Sequence, residues 1–276
     1  MAESESLINR SGSANQNEAS GFTGHYDKIW RPILAEMVGV TLFVFVGVCS
    51  LVSGNITSAA LGHGLLIALL ISCFGELSGG HFNPAVTVAV ALCGGLPFFL
   101  VPGYIVGQVV GAVLGAALVR GTFPEKLYIS IAGGCHELGH INLGTVDTPE
   151  LVDVQPGWGI LIELMITSVL IITVLMTAVN PRTKSSLAPL AIGFAVTVGI
   201  MGGGMLTGAS MNPARAIGPA IVASGVFDDA WRYHYIYWLG PILGSILASL
   251  LYRFLFASQS TRWVARRDSV YERISS

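Results

Sequence analysis

Two short stretches of this chain decide its fold: residues 78–85 read SGGHFNPA and residues 207–214 read TGASMNPA. Each stretch opens an apolar segment, 84–93 in the first case and 213–223 in the second. Asn is favoured at the N-cap of a helix and Pro in its first turn, so both motifs predict helix starts. Helices of about ten residues are too short to cross a bilayer, but two placed N-terminus to N-terminus would span about 30 Å. The motifs Asn83-Pro84-Ala85 and Asn212-Pro213-Ala214 therefore predict a pore with two Asn side chains at its midpoint.

The composition places most of the chain in lipid. Of its 276 residues, 53% are hydrophobic and 11% are charged, whereas soluble domains carry about 25% charged residues. The net charge of -2 gives no support for nucleic-acid binding. The four cysteines show neither disulfide nor metal spacing, so we expect no metal and no cofactor. Residues 1–28 lack the pattern of a signal peptide, and the first apolar span is expected to direct insertion.

Six longer apolar spans predict membrane-crossing helices. They run over residues 33–52, 59–75, 96–119, 158–179, 187–206 and 235–252. The sequence therefore predicts an all-α membrane protein with six transmembrane helices and two half-helices.

The two halves of the chain repeat one pattern. The first half opens with ILAE at 33–36 and the second with ILIE at 160–163, so that Glu36 and Glu163 hold equivalent positions. Three spans per half is an odd number, so the second half must be inverted in the membrane. Inverted repeats whose broken helices meet near the midplane are a known design of transport proteins.

Lys and Arg residues divide unevenly between the two sides of this arrangement, which predicts a cytoplasmic location for both termini. The richer side carries Arg10, Lys28, Arg31, Arg182, Lys184, Arg253, Arg262, Arg266, Arg267 and Arg273, and the other carries Arg120, Lys126 and Arg232. The predicted organisation is a cytoplasmic tail (1–30), a channel domain (31–256) and a second cytoplasmic tail (257–276). Within the channel domain, the repeats 31–121 and 158–256 flank an outer loop, 122–157. A glycosylation sequon begins at Asn55 on the outer side.

The paired motifs, the two glutamates and Arg215 directly after the second motif together resemble the aquaporins, or major intrinsic proteins. The resemblance covers about residues 30–256. It implies a right-handed bundle of six helices and two half-helices, assembled in the lipid bilayer as a homotetramer with one pore per subunit. It also implies passage of water and small neutral solutes, with no enzymatic activity. The plasma membrane is the expected location, with an intracellular membrane, including the mitochondrial inner one, left open.

The residue types at the pore centre suit water and oppose protons. Backbone N–H groups at a helix N-terminus are unpaired and carry partial positive charge, which repels cations. Asn83 and Asn212 can donate to one passing water, whose own hydrogens then point along the pore and interrupt proton transfer. A charged Arg215 in apolar surroundings is expected to face the pore, because burying an unpaired charge is costly. An ion pair between Arg215 and Glu163 is the alternative.

The resemblance also implies a narrow filter with four wall positions, which fall here on His63, Ile200, Ala209 and Arg215. Water-strict members of the family carry Phe and His at the first two positions. His followed by Ile is similar to the aquaporin-8 branch and the plant vacuolar members, which implies passage of water, ammonia and hydrogen peroxide. A core histidine bonded within the bundle is the alternative interpretation of His63.

The remaining candidates concern support and the inner mouth. The resemblance assigns Glu36 and Glu163 to support of the loops before the half-helices, and His81 to the inner vestibule or to a structural role. Glycerol-conducting relatives carry Asp and a basic residue where this chain has Ala216 and Ala220. A glycerol or small-solute facilitator and an alternating-access transporter remain the alternatives.

Two further patterns have structural interpretations. Glycines 107, 111 and 115, with 240 and 244, predict close helix contacts. Cys135, His136 and His140 in the outer loop give weak support for a metal site.

Overall fold

The computed structural model describes residues 24–142, 150–258 and residue 262. Most of the predicted tails, 1–30 and 257–276, lies outside these residues. The described helices are α1 (Arg31–Cys49), α2 (Ile56–Ser78), α3 (Pro84–Leu92), α4 (Val101–Thr122), α5 (Glu125–Ser130), α6 (Pro156–Val174), α7 (Ala188–Thr207), α8 (Pro213–Ala223) and α9 (Ile236–Leu251). The strands β1 (His140–Asn142) and β2 (Leu151–Asp153) pair antiparallel.

The prediction of six membrane-crossing helices is confirmed for the described residues. Short 3-10 and π turns extend several helices, so that the apolar spans run Tyr26–Ser53, Ile56–Ser78, Phe98–Thr122, Pro156–Val179, Ala188–Thr207 and Asp229–Phe256. The second span begins three residues earlier than predicted because Asn55 caps it: its Oδ1 accepts a hydrogen bond from Ser58 N at 2.8 Å. The half-helices α3 and α8 begin at the two motif prolines, as predicted.

Equivalent helices of the two repeats pack in equivalent pairs. Helix α4 packs on α1 and α9 packs on α6, while α2 and α7 pack across the two repeats. A Cβ atom placed on Gly111 would lie 2.2 Å from Met37 O, and one placed on Gly244 would lie 2.6 Å from Leu164 O. The helix backbones therefore approach too closely for any side chain at these positions. The predicted close contacts at the glycines are confirmed.

The bundle presents an apolar surface outwards, as a chain in lipid requires. Large apolar side chains on the outer faces of the helices are exposed, including Leu69 on α2, Val106 on α4 and Met205 on α7. The polar side chains Glu36 and Glu163 are instead fully buried between helices.

The outer loop differs from the plain polar connection that the sequence suggests. It contains α5 and the β1–β2 hairpin, and between them residues Ala132, Gly133 and Gly134 adopt left-handed backbone conformations. This turn carries Cys135 and His136 inwards, and His136 is buried. A hydrogen bond to Arg215 stabilises this turn: Arg215 Nη1 donates to Gly134 O at 2.7 Å. The described residues contain no group of three metal-ligating side chains, so the metal site considered for this loop is not formed there.

Candidate functional site

A buried carboxylate holds the loop that leads into α3. Glu36 Oε1 accepts hydrogen bonds from Ser78 Oγ at 2.6 Å and from His81 N at 2.9 Å. Glu36 Oε2 accepts from Phe82 N and from Gln108 Nε2. Phe82 has a φ of 49°, a left-handed conformation that is costly for a bulky residue. The carboxylate therefore stabilises a backbone turn that the chain would otherwise avoid.

The second repeat contains the same device before α8. Glu163 Oε1 accepts from Thr207 Oγ1 at 2.7 Å and from Ser210 N at 2.9 Å, and Oε2 accepts from Met211 N at 2.8 Å. Met211 has a φ of 52°, matching Phe82 in the first repeat. These bonds occupy both carboxylate oxygens, and the described residues show no ion pair between Glu163 and Arg215.

The two half-helices meet through a reciprocal pair of hydrogen bonds, which we call the Asn clasp. Asn83 Nδ2 donates to Met211 O at 2.8 Å, and Asn212 Nδ2 donates to Phe82 O at 2.9 Å. Each Asn Oδ1 also caps its own half-helix, accepting from Ala85 N at 2.8 Å and from Ala214 N at 3.0 Å. A side-chain amide has two N–H donors. One donor of each Asn therefore remains for a ligand beside the clasp.

A cavity of about 430 Å³ runs past the clasp. Its wall is largely aliphatic, with Ile67, Val86, Leu170, Val174, Ile192 and Val196 among the lining residues. Asn83 and Asn212 line it together, as do His63, Ile200, Ala209 and Arg215. The structure thus brings the four predicted wall residues to one cavity, and His81 lines it as well.

Arg215 is held at the wall by two acceptors. The side chain is 4% exposed, with Nε bonded to His63 Nε2 at 3.3 Å and Nη1 bonded to Gly134 O. His63 Nδ1 lies 2.9 Å from Ala59 O. Both interpretations of His63 therefore describe its geometry, since it lines the cavity and is hydrogen-bonded within the bundle. The remaining guanidinium N–H groups of Arg215 place a positive charge at the cavity.

The family model described as Major intrinsic protein matches residues 25–252. The chain belongs to the major intrinsic protein family. Mouse (Mus musculus) aquaporin-8 is 39% identical over 245 residues, covering 87% of this chain and 88% of its own. Mouse aquaporin-4 is 36% identical over 238 residues, covering 82% and 68%. The aquaglyceroporin from Plasmodium falciparum has the same fold, with a TM-score of 0.68 at 20% identity over 80% of this chain and 94% of its own.

Family membership and the six apolar helices make this major intrinsic protein a multi-pass membrane channel and not an enzyme. The predicted resemblance to the family, and to aquaporin-8 within it, is confirmed.

Sequence reasoning missed two cavity residues of this major intrinsic protein, Cys135 and His136, both of which line the pore cavity. The signal was the Gly133-Gly134 pair, which permits the left-handed turn. A Cβ on Gly133 would lie 2.6 Å from the Tyr128 ring, and one on Gly134 would lie 2.6 Å from Val48 Cγ2. The turn therefore requires glycine at both positions.

A polar network around His81, which lines the cavity, was also missed. His81 Nδ1 lies 3.2 Å from Thr87 Oγ1, and Gln108 Nε2 donates to the same hydroxyl at 2.9 Å. Since Gln108 also bonds Glu36, this network ties the His81 ring to the carboxylate that supports its loop.

Proposed function

We propose that this member of the family is a passive channel for water, and also for ammonia and hydrogen peroxide, that excludes protons and other ions. The observation that carries this proposal is the Asn clasp, whose two Asn residues line one cavity with a mainly aliphatic wall. The clasp fixes the orientation of both amides, so that the second N–H of each is a fixed donor. A solute that accepts from both donors cannot also continue a chain of proton donors through the centre.

Electrostatics supports ion exclusion. The N-termini of α3 and α8 meet at the clasp, and each carries partial positive charge. The guanidinium of Arg215 adds a full positive charge at the same cavity. Pore diameter, lining donors and the positive ends of half-helices are the selectivity terms of aquaporin-type pores in general.

The filter composition supports ammonia and peroxide as further solutes. Ile200 and Ala209 supply apolar wall, while His63 supplies an imidazole whose Nε2 is already occupied by Arg215. A wall of this kind has few free polar groups, so it does not select strongly for one small neutral solute over another. Ala216 and Ala220 on α8 favour a water-type filter over that of a glycerol facilitator. Measurement of glycerol flux tests this alternative.

Several features of the intact protein belong to the same proposal. They are the channel domain over 31–256, a homotetrameric assembly, cytoplasmic termini, the plasma membrane as location and glycosylation at Asn55. Asn55 is exposed at the start of α2, with its Oδ1 used in capping and its amide nitrogen not used by that bond.

The experiment is stopped-flow flux in proteoliposomes, comparing water, ammonia, hydrogen peroxide and glycerol. We expect fast water, ammonia and peroxide flux with little glycerol flux. The double variant His63→Phe with Ile200→His should suppress ammonia flux while sparing water flux.

A matched control places similar changes on sides of the same helices that face away from the cavity. Leu65 and Val198 are exposed on α2 and α7, and Leu65→Phe with Val198→Phe should leave every flux unchanged. Water flux no higher than that of bare lipid would overturn the proposal, and fast glycerol flux would favour the facilitator.

A further inference from the structure

A buried tyrosine of the outer loop lies against the turn that supplies an acceptor to Arg215. Tyr128 on α5 is fully buried. A Cβ atom placed on Gly133 would lie 2.6 Å from Tyr128 Oη, so the end of the ring touches the backbone of the turn. The next residue is Gly134, whose carbonyl accepts from Arg215 Nη1 at 2.7 Å. The Tyr128 ring is therefore one residue away from the carbonyl that holds the charged group of the filter.

The turn does not fix its own position. Ala132, Gly133 and Gly134 have φ values of 48°, 59° and 83°. This left-handed conformation is costly for Ala, and the two glycines have many other conformations open to them. Hydrogen bonds close the turn locally, from Gly134 N to Ile131 O at 2.9 Å and from Cys135 N to Ala132 O at 3.0 Å. Because these bonds join only neighbouring residues, packing against other elements must set where the Gly134 carbonyl points.

Side chains from two helices contact the turn. Val48 near the end of α1 lies beside Gly134, where an added Cβ would lie 2.6 Å from Val48 Cγ2. Tyr128 is the contact from α5, and its ring also packs against Phe227, with the ring centroids 6.0 Å apart. Phe227 N donates to the carbonyl of Ala223, the last residue of α8. Tyr128 thus connects the turn to the half-helix that carries the guanidinium.

A cation holds the Tyr128 ring. The guanidinium carbon of Arg120, at the end of α4, lies 4.5 Å from the ring centroid, which is within the range of a cation–π interaction. Burial raises the pKa of Tyr128, so the phenol is neutral and the guanidinium is attracted to the face of the ring. The described residues show no ion pair to Arg120. The ring is therefore the partner that the structure gives this charge.

Comparison of the two repeats shows that Arg120 has an equivalent beside the other half-helix. Arg120 lies 13 residues after Gly107 of α4, and Arg253 lies 13 residues after Gly240 of α9. Arg253 Nη2 donates directly to Leu92 O, at the end of α3, at 3.3 Å. In the first repeat the arginine instead contacts an aromatic ring, and that ring also touches the turn of the filter. This difference links the first arginine to the filter and not only to the end of a half-helix.

We propose that Tyr128 is a positioning residue of the filter: it fixes the Gly134 carbonyl and, through it, the Arg215 guanidinium. Arg120 holds the ring in place. This inference rests on the proposed channel function. Without the Gly134 acceptor, Arg215 would keep its bond from Nε to His63, and the rest of the guanidinium could turn about that bond. The filter would widen, which favours solutes larger than water.

The ratio of glycerol to water permeability, measured in proteoliposomes, reports the width of the filter. Tyr128→Leu removes the ring, and we expect the ratio to rise several-fold. Tyr128→Phe keeps the ring and should keep the native ratio, since Tyr128 Oη has no protein partner among the described residues. An unchanged ratio for the Leu variant, or an equal rise for the Phe variant, would overturn the proposal.

A second cation–π pair, in the segment before α9, provides the matched control. The guanidinium carbon of Arg232 lies 5.2 Å from the centroid of the Tyr233 ring, and neither residue lines the pore cavity. Tyr233→Leu should leave the permeability ratio unchanged, even where its melting temperature falls as far as that of Tyr128→Leu. A similar rise in both variants would show that destabilisation alone widens the filter, against the proposal.

A double-mutant cycle tests whether Tyr128 acts through Arg215. Arg215→Val removes the guanidinium, and in that background Tyr128→Leu should raise the ratio no further. An additive rise would place the effect of Tyr128 elsewhere and contradict the positioning role.

Variants of Arg120 decide the matter if Tyr128→Leu does not fold. Arg120→Met removes the charge, and we expect a smaller rise in the ratio of glycerol to water permeability. Arg120→Lys keeps a cation near the ring and should stay closer to the native ratio. Equal ratios for the two variants would overturn the proposal. Absence of water flux through the native protein would instead overturn the channel itself, so the two proposals fail in distinguishable ways.

Discussion

The guanidinium of Arg215 is bonded to the imidazole of His63, with Nε and Nε2 separated by 3.3 Å. Because His63 Nδ1 faces the Ala59 carbonyl at 2.9 Å, the proton of the neutral ring is on Nδ1, and Nε2 is left to accept from Arg215. One α2 side chain thus positions the charge of α8. This bond makes His63 a support of Arg215 as well as a wall residue.

Replacing His63 should separate these two roles. His63→Leu removes the acceptor of a buried guanidinium, and we expect the free energy of unfolding to fall by about 1.5–3 kcal/mol, the range for hydrogen bonds to charged groups. His63→Gln keeps an acceptor oxygen and should lose less. Thermal unfolding in detergent compares the variants, with Leu65→Ala on the exposed face of α2 as the control. Equal losses for Leu and Gln would contradict the role of the hydrogen bond.

Replacement of the Glu163 carboxylate by an amide should destabilise the protein. Glu163→Gln replaces an oxygen that accepts from the backbone by an N–H donor, which opposes a donor already present. We expect a loss of about 2–4 kcal/mol in unfolding free energy, as one or two bonds to a charged group are broken. The same change at Glu76, which is exposed on α2, should have little effect. Unfolding measured in parallel for both variants checks this, and comparable stabilities would count against it.

Asn212→Asp should separate the two roles of this side chain, which caps the N-terminus of α8 and donates a hydrogen bond to Phe82 O. Asp is as good an N-cap as Asn, so α8 should keep its start. The carboxylate cannot donate to Phe82 O, and it adds negative charge beside the half-helix N-termini. We therefore expect water flux to fall and proton flux to rise, measured with a pH-sensitive dye in liposomes. Unchanged proton flux would show that the Asn donor is dispensable for exclusion.

Close helix contact at Gly111 should make this position intolerant of a side chain. Gly111→Val drives a branched side chain into the Met37 carbonyl, and overpacking of this kind costs about 1–3 kcal/mol or more. Gly121 lies on the same helix with nothing within 4 Å of its Cβ position. Gly121→Val is therefore the matched control, and only the first variant should lose folded protein in size-exclusion chromatography.

Alkylation of Cys135 should depend steeply on pH. Burial raises the pKa of this thiol to about 11. Only the thiolate reacts, so the rate of alkylation by iodoacetamide should rise about tenfold for each pH unit below that value. Mass spectrometry of the Cys135 peptide follows the reaction. A rate that levels off below pH 9 would show a thiol with a lower pKa.

The central features of the fold follow from local sequence. The motif prolines mark the first residues of α3 and α8, because the N-cap preference of Asn and the fixed φ of Pro act within a few residues. The inversion of the repeats follows from counting spans. The start of α2 at Ile56 was missed because its N-cap, Asn55, lies in a polar stretch whose low hydropathy is typical of a loop.

The cavity wall around Arg215 did not follow from the sequence, because it depends on a contact between distant residues. The Arg215 side chain bonds Gly134 O, which is 81 residues away in the chain. Residues 122–157 show no periodic pattern from which one could predict that a backbone carbonyl of this polar loop accepts a hydrogen bond from a buried guanidinium. His136 appears in the pore wall only once that turn is in place.

The Asn clasp also sets the order in which the protein can be completed during synthesis. Asn83 and its acceptor Met211 are 128 residues apart, and Asn212 and Phe82 are 130 apart. When the first three spans leave the ribosome, the Asn83 amide and the Phe82 carbonyl have no counterpart in the nascent chain. Neither hydrogen bond of the clasp can therefore form until the second half-helix has been synthesised and has reached the first.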